Sequence, residues 1–193
     1  GNLLGAEQHG FIHQVGYEMY VSLLEKAVRS LRGQKEEPVQ RILASVEVPV
    51  GAFIPQPYIE SPKERLGFYK RIAGAPDVDT LSEIESELRD RYGGLPSEVK
   101  NLLDVAALRL LAGKLGITQV SLVREDAVMG RSRLDFKIEV PHLFPVNRVA
   151  SLHKEFPGAE LDGRSQSLSI PLRDPKSALE RGLALARYLT QGE

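Results

Sequence analysis

The 193-residue sequence contains no cysteine, which excludes disulfides, thiolate metal sites and cysteine nucleophiles. This absence is compatible with a reducing compartment, and we expect a cytoplasmic location. No apolar run approaches the ~18 residues of a membrane-spanning helix, and no Asn-x-Ser/Thr glycosylation sequon occurs. The formal net charge is −1. Binding to nucleic acid or to an anionic membrane would therefore require a local basic patch.

Motifs for nucleotide and acyl chemistry are also missing. A phosphate-binding loop has the pattern G-x-x-x-x-G-K-[ST], and the nearest candidate, Gly113-Lys114, is followed by Leu115 and has Leu108 in place of the first glycine. This segment is better interpreted as the end of a helix. Neither G-x-G-x-x-G nor G-x-S-x-G occurs. We therefore predict that this chain is not an enzyme and binds no cofactor of its own.

What is present is typical of a folded domain, with 42% hydrophobic and 26% charged residues. Apolar periodicity predicts a helix at residues 16–31, and a charged segment with glycine and proline at 32–38 reads as a linker. We place a domain boundary between residues 37 and 38. Beyond it, helices come first and mostly adjacent strands follow, which favours an α+β domain with several helices packed in two layers on a small mixed or antiparallel sheet.

The elements predicted after the linker follow from hydrophobic periodicity and from capping and turn residues. Ser61 is predicted to cap a helix at residues 62–73, and the next helix is predicted to begin at residue 79 or 80 and to end at 92. The other predicted helices cover residues 96–115, 146–156 and 176–189. The predicted strands cover residues 42–50, 119–124, 134–140, 159–161 and 167–172.

His9 and His13 stand four residues apart, a spacing that aims two imidazoles the same way on a helix, as a zinc site requires. A third ligand is missing, Gly10 weakens the helix between them, and no glutamate follows the pattern H-E-x-x-H. Two polar loop histidines are therefore the favoured interpretation, and we predict no metal. His142 and His153 belong to no motif.

The first residues resemble the pattern G-x-L-L-G-x-x-Q-x-G followed by I-G-[YF]-x-x-Y. This stretch closes the second motor lobe of bacterial transcription-repair coupling factors (Mfd), which are ATP-driven translocases on double-stranded DNA with a motor related to the RecG helicase. The resemblance implies that residues 1–37 are the tail of a motor lobe, with Gly5, Gln8 and Gly10 in the translocation-motif loop. Without the resemblance, Gln8 would be interpreted as a solvent-facing residue in a glycine-rich turn.

A second resemblance covers the middle of the chain. Residues 66–73 resemble the helix R-L-x-[FL]-Y-K-R-[IL] of the same family, and residues 87–96 resemble its turn E-L-x-D-R-[FY]-G-x-[LP]-P. Their order and spacing match the family's terminal TRCF domain, and the similarity fades after about residue 116.

This second resemblance implies a regulatory domain at residues 38–193 that folds back on an amino-terminal module and masks its surface for the excision-repair protein UvrA. It also implies a parent protein that binds double-stranded DNA, displaces stalled RNA polymerase and binds ATP and Mg²⁺ outside this chain.

The predicted helix at residues 79–92 has an acidic face. A turn of 100° per residue groups the apolar side chains in one stripe and places Glu83, Glu87 and Asp90 on the opposite side. We hypothesise that these three residues form the interdomain contact, with Glu87 and Asp90 pairing with Arg or Lys of the amino-terminal module. The alternative is a solvated face without a partner.

The preceding helix carries a compact basic patch made by Lys63, Arg65, Lys70 and Arg71. The patch supports a second interpretation, a small nucleic-acid-binding module. No aromatic platform or glycine-rich clamp accompanies it, because Phe68 and Tyr69 are predicted to lie in the core.

Overall fold

The computed structural model describes residues 41–191. The predicted helix at 16–31, the linker at 32–38 and the boundary after residue 37 lie outside the described residues and stay predictions. The described residues divide into two compact units, one of Gly51–Ala106 and one of Arg41–Val50 with residues 107–191. Among residues 41–191, no helix combines the length and the apolar character that crossing a bilayer requires.

The first unit is helical and contains α1 (Pro62–Ala73), α2 (Val78–Tyr92) and the start of α3 (Ser97–Lys114). The Ser61 side chain caps α1, and Pro62 occupies its first turn. Asp77 caps α2 by accepting a hydrogen bond from the Thr80 N–H at 2.8 Å. This cap explains why α2 begins at Val78, slightly before the predicted start.

The second unit contains a mixed sheet with the strand order β1-β2-β3-β5-β4. β1 pairs in parallel with β2, and all other pairings are antiparallel. The strands are β1 (Ser45–Glu47), β2 (Ile117–Asp126), β3 (Arg131–Ile138), β4 (Glu160–Asp162) and β5 (Ser167–Leu172).

The helices that lie wholly in this unit are α4 (Val146–Glu155) and α5 (Ala178–Thr190), with single 3₁₀ turns at Pro141–Leu143 and Pro175–Ser177. α5 packs closely on one face of the sheet at Gly182, where a Cβ atom would lie 3.0 Å from Leu134 Cδ2. Leu134 and Phe136 are fully buried on that face. The predicted α+β class with a mixed sheet is confirmed.

Three strand predictions are wrong in their extent. The strand predicted at residues 119–124 is longer and spans Ile117–Asp126. Residues 42–50 were predicted as one strand, but only Ser45–Glu47 is one. The N–H of Ala44 donates to the Arg109 carbonyl at 3.2 Å, and Arg109 Nε donates to the Ala44 carbonyl at 3.0 Å, so the backbone of Ala44 is bonded to α3.

The strand predicted at residues 134–140 lies earlier in the chain than predicted. It spans Arg131–Ile138 instead. The N–H groups of Glu139 and Val140 donate to the Gly116 carbonyl at 3.0 and 3.1 Å, which ends the ladder.

Gly113 provides a test of the close approach between α3 and the segment before β1. A Cβ at this position would lie 1.7 Å from the Ile42 carbonyl oxygen. This oxygen belongs to the backbone, so a change of side-chain rotamer cannot relieve the clash. We expect Gly113→Ala to lower the free energy of unfolding by about 1–3 kcal/mol. Urea denaturation measures the change.

Gly67 in α1 is the matched control, because no atom lies within 4 Å of a Cβ built there. Gly67→Ala should raise the free energy of unfolding by about 0.5–1 kcal/mol, through a better helix propensity. Equal effects of the two substitutions would contradict the described packing of Gly113.

Candidate functional site

One apolar stripe fixes the orientation of α2 within the first unit. Leu81, Ile84 and Leu88 are at most 4% exposed, so the opposite side of the helix faces outward. Glu83 and Asp90 are exposed on that side, and the Glu87 side chain is 33% exposed. The structure therefore places the three acidic residues together on one helix face.

Glu87 is already engaged within the unit. Its carboxylate accepts hydrogen bonds from Arg71 Nη2 of α1 at 2.6 Å and from Arg91 Nη1 one turn later at 3.0 Å. Arg91 Nη2 also donates to Glu64 Oε1 at 2.8 Å, and the Tyr92 hydroxyl donates to Glu64 Oε2 at 3.1 Å. We call Glu64, Arg71, Glu87 and Arg91 the charge cluster. It links α1 to the second half of α2.

The charge cluster lies over aromatic rings. The guanidinium carbons of Arg71 and Arg91 are 5.2 and 5.6 Å from the ring centroid of Phe68, which is 3% exposed. Tyr92 meets the Phe68 ring edge-on at 6.0 Å and lies 5.7 Å from the Tyr58 ring. The attraction between a guanidinium group and the face of an aromatic ring helps to hold both arginines in place.

The C-terminal end of α2 is also bonded to the loop before α1. The Tyr58 hydroxyl lies 3.1 Å from the carbonyl oxygens of both Leu88 and Gly93. Partial burial is the main cause that raises the pKa of Tyr58 above its ordinary value. The hydroxyl therefore stays protonated and able to donate at neutral pH.

These contacts shift the pKa values of Glu87 and Arg71. The hydrogen bond from Arg71, supported by the one from Arg91, holds the pKa of the Glu87 carboxyl below its ordinary value. The reciprocal hydrogen bond to Glu87 raises the pKa of Arg71. Both groups are therefore charged at neutral pH, and their charges offset each other inside the unit.

The other acidic residues at α2 divide into engaged and unpaired ones, apart from Asp79, which is exposed in the first turn. Glu85 accepts from Arg89 Nη2 at 2.8 Å, and Asp77 caps the helix. Glu83 and Asp90 form no ion pair with any residue in the described part of the chain. Within 41–191 they are the residues of the predicted acidic face whose negative charge is not neutralised by a neighbour.

The predicted basic patch on α1 is wrong in one member. Arg65 is 4% exposed, and its Nη1 donates to the carbonyls of Ile59 and Glu60. Arg71 is exposed but paired with Glu87, which leaves Lys63 and Lys70 as the exposed cations of the set that form no ion pair within the described residues. Phe68 and Tyr69 are each 3% exposed, so their predicted core position is confirmed.

Several predicted site residues cannot be placed. Gly5, Gln8 and Gly10 of the translocation-motif loop, and the pair His9 and His13, lie outside the described residues. Across residues 41–191, no group of three or more His, Asp or Glu side chains has a geometry that would hold a metal ion.

Glu64 and Arg91 of the charge cluster were not predicted as site residues from the sequence. The spacing of Glu87 and Arg91, four residues apart on a helix, is a signal that would have predicted their pairing. Glu64 and Arg91 are 27 residues apart in the chain, and no local pattern joins them.

Comparisons with known proteins agree with the resemblance. Residues 48–137 match the family model of the TRCF domain. The transcription-repair-coupling factor of Escherichia coli (strain K12) is 36% identical over 184 residues, which cover 93% of this chain and 16% of that protein. That of Haemophilus influenzae is 40% identical over 123 residues, covering 62% of this chain and 11% of that protein.

A solved structure supports the fold. The crystal structure of the C-terminal domain of a transcription-repair coupling factor matches with a TM-score of 0.63 at 20% identity. The match covers 76% of this chain and 91% of that one. At this level of identity the likeness shows that the fold is shared.

Glu87 offers a test of the charge cluster. Its lowered pKa means that the unfolded chain binds a proton more readily, so the stabilisation is present above the ordinary glutamate pKa and is lost as the pH falls through the folded value. We expect Glu87→Gln to lower the free energy of unfolding at pH 7 by roughly 0.5–1 kcal/mol. The difference from the unaltered chain should vanish in acid.

Asp90→Asn is the matched control, since Asp90 is exposed on the same face and has no ion pair within the described residues. It should change the free energy of unfolding by less than about 0.5 kcal/mol. Urea unfolding at neutral and acid pH checks both substitutions. A Glu87→Gln variant as stable as the control at pH 7 would be inconsistent with a stabilising cluster.

Proposed function

We propose, since this chain belongs to the TRCF domain family, that it is the carboxy-terminal regulatory and interaction domain of a transcription-repair coupling factor. The chain spans 16% of the length of the Escherichia coli relative and 11% of the Haemophilus influenzae one. The remaining length of such a parent supplies the motor that binds ATP and Mg²⁺ and moves on double-stranded DNA. This chain makes and breaks no bonds, binds no cofactor and acts in the cytoplasm.

The unpaired charges of Glu83 and Asp90 are the observation that supports a docking role for α2. They lie on the outward face of a helix whose other side is buried, so they are available to Arg or Lys of an amino-terminal module of the parent. Glu87 lies between them, but its carboxylate accepts from Arg71 and Arg91. We assign direct pairing to Glu83 and Asp90, and assign to Glu87 the positioning of the helix.

A contact of this kind is suited to autoinhibition. Exposed ion pairs contribute only about 0.2–1 kcal/mol each, but a tether within one polypeptide raises the effective concentration of the partner surface. The domain therefore covers the UvrA-binding surface of the amino-terminal module when the parent is idle. A coupling free energy of ~1–3 kcal/mol changes affinity by about five- to 150-fold, so engagement of stalled RNA polymerase could release the surface.

Charge reversal in the full-length protein tests the proposal. We expect Glu83→Lys combined with Asp90→Lys to increase the affinity for UvrA at least about fivefold, because the masking contact becomes repulsive. Pull-down or interferometry with purified UvrA measures the change. Neither residue is buried, so the variant should fold.

Glu60→Lys is the matched control, as it reverses an exposed acid outside α2 and should leave UvrA binding unchanged. Unchanged UvrA binding in the double variant would reject the masking role of this face.

A nucleic-acid-binding module is the second proposal, favoured by the exposed Lys63 and Lys70 on α1. Two lysines on a chain of net charge −1 provide few phosphate contacts. We expect duplex and single-stranded DNA to show no binding at about 0.15 M salt, as measured by fluorescence anisotropy. Binding that weakens steeply with salt and disappears in Lys63→Ala/Lys70→Ala would favour this second function over the first.

A further inference from the structure

A groove of about 580 Å³ lies in the second unit beside α4 and β4. Its apolar lining comes from Val149 and Leu152 of α4, from Leu161 of β4 and from Leu168 of β5. His153, Glu160 and Asp162 supply ionisable groups to the same lining. The groove contains none of the residues of the acidic face on α2.

The apolar surface of the groove is exposed at Leu161 and continues along α4 to Val146, which lies outside the lining. Leu161 is 40% exposed and Val146 is 64% exposed. Val146 precedes Val149 by three residues and His153 by seven, so all three lie on one stripe of α4. Exposed apolar side chains that adjoin a groove, rather than standing singly, are typical of a binding surface.

β4 also offers backbone groups. It is the last strand in the order β1-β2-β3-β5-β4, and within the described residues it pairs only with β5. All three of its residues are exposed. The outer edge of such a strand presents N–H and C=O groups that can bond to an additional strand.

The side chains of β4 specify what an additional strand would carry. Successive residues of a strand point to opposite faces, so Glu160 and Asp162 share one face and Leu161 lies on the other. On an added strand, a basic residue is favoured opposite Glu160 and opposite Asp162, because opposite charges attract across a strand pair. An apolar residue is favoured opposite Leu161. Asp162 Oδ1 also accepts a hydrogen bond from the Arg164 N–H at 2.8 Å in the turn after β4. Arg164 is not part of the groove lining.

We propose that the edge of β4 and the adjoining groove bind an extended segment of a partner protein that alternates basic and apolar residues. The segment adds to the sheet as a sixth strand, its basic side chains pair with Glu160 and Asp162, and its apolar side chains enter the groove over Leu161 and Val149. This surface is separate from the proposed masking contact, and it gives the domain a second binding partner.

A designed peptide tests the proposal with the whole 193-residue chain. The probe is fluorescein-labelled Ser-Lys-Val-Lys-Ile-Lys-Ser, and anisotropy measures its binding. The control peptides carry glutamate in place of every lysine, or N-methyl groups on alternate residues to remove the strand hydrogen bonds. We expect the basic peptide to bind at least about tenfold more tightly than either control, and to shift amide resonances of β4 and α4.

Variants of the chain make the test specific to the groove. Leu161→Ser and Glu160→Gln should each lower the affinity for the basic peptide about three- to tenfold. Val128→Ser and Glu180→Gln are matched controls, because they remove an exposed apolar group and an exposed carboxylate outside the groove. Neither control should change the affinity.

Three results would overturn the proposal. The first is equal affinity for the basic and acidic peptides. The second is a map of shifted resonances that avoids β4. The third is a dimer in sedimentation that Leu161→Ser dissociates, because the occupant of the groove would then be a second copy of the chain.

Discussion

Burial of one side of α2 is the constraint on which the proposed function depends. Leu81, Ile84 and Leu88 are packed inside the first unit, so a helical repeat of 3.6 residues leaves Glu83 and Asp90 no position except the outer face. Their charges are then carried by a helix that cannot rotate without exposing three large apolar side chains. Exposing each of them would cost about 1.5–3 kcal/mol, far more than one surface ion pair contributes.

The charge cluster holds α1 and α2 in position but contributes little to the free energy of unfolding. The side chains of Arg71 and Arg91 are 47% and 45% exposed, and pairs with such exposure are weak and screened by salt. Their guanidinium groups nevertheless lie over the Phe68 ring and join α1 to α2 through Glu87 and Glu64. The same weakness and screening would make the proposed docking contact through Glu83 and Asp90 reversible, as the proposed autoinhibition requires.

Local patterns predicted the helices well because their signals lie within a few residues. The cap at Ser61 and the apolar stripe of α2 were recognised in the sequence, whereas the cap at Asp77 was not. Strand ends were predicted less well, because the bonds that end or extend a strand come from distant residues. Ala44 is bonded to Arg109, for example, and the polar Arg131 is a strand residue because Asp126 pairs with it.

The acidic face itself was predicted from helical spacing, whereas its division into paired and unpaired charges was not. The partner of Glu87 on α1, Arg71, is 16 residues away in the chain, and only packing brings the two together. Arg65 is a second residue whose contacts could not be predicted from local spacing. Its spacing suggests a surface cation, but the carbonyls of Ile59 and Glu60 bind it in the interior.

The most direct measurement is the reactivity of the Glu83 and Asp90 carboxylates toward carbodiimide labelling in the full-length protein, read by mass spectrometry with and without UvrA. The account predicts slow labelling of both residues in the protein alone, and labelling as fast as in this isolated chain once UvrA is bound. Equal labelling rates in the two states would contradict the claim that this helix face covers a neighbouring module.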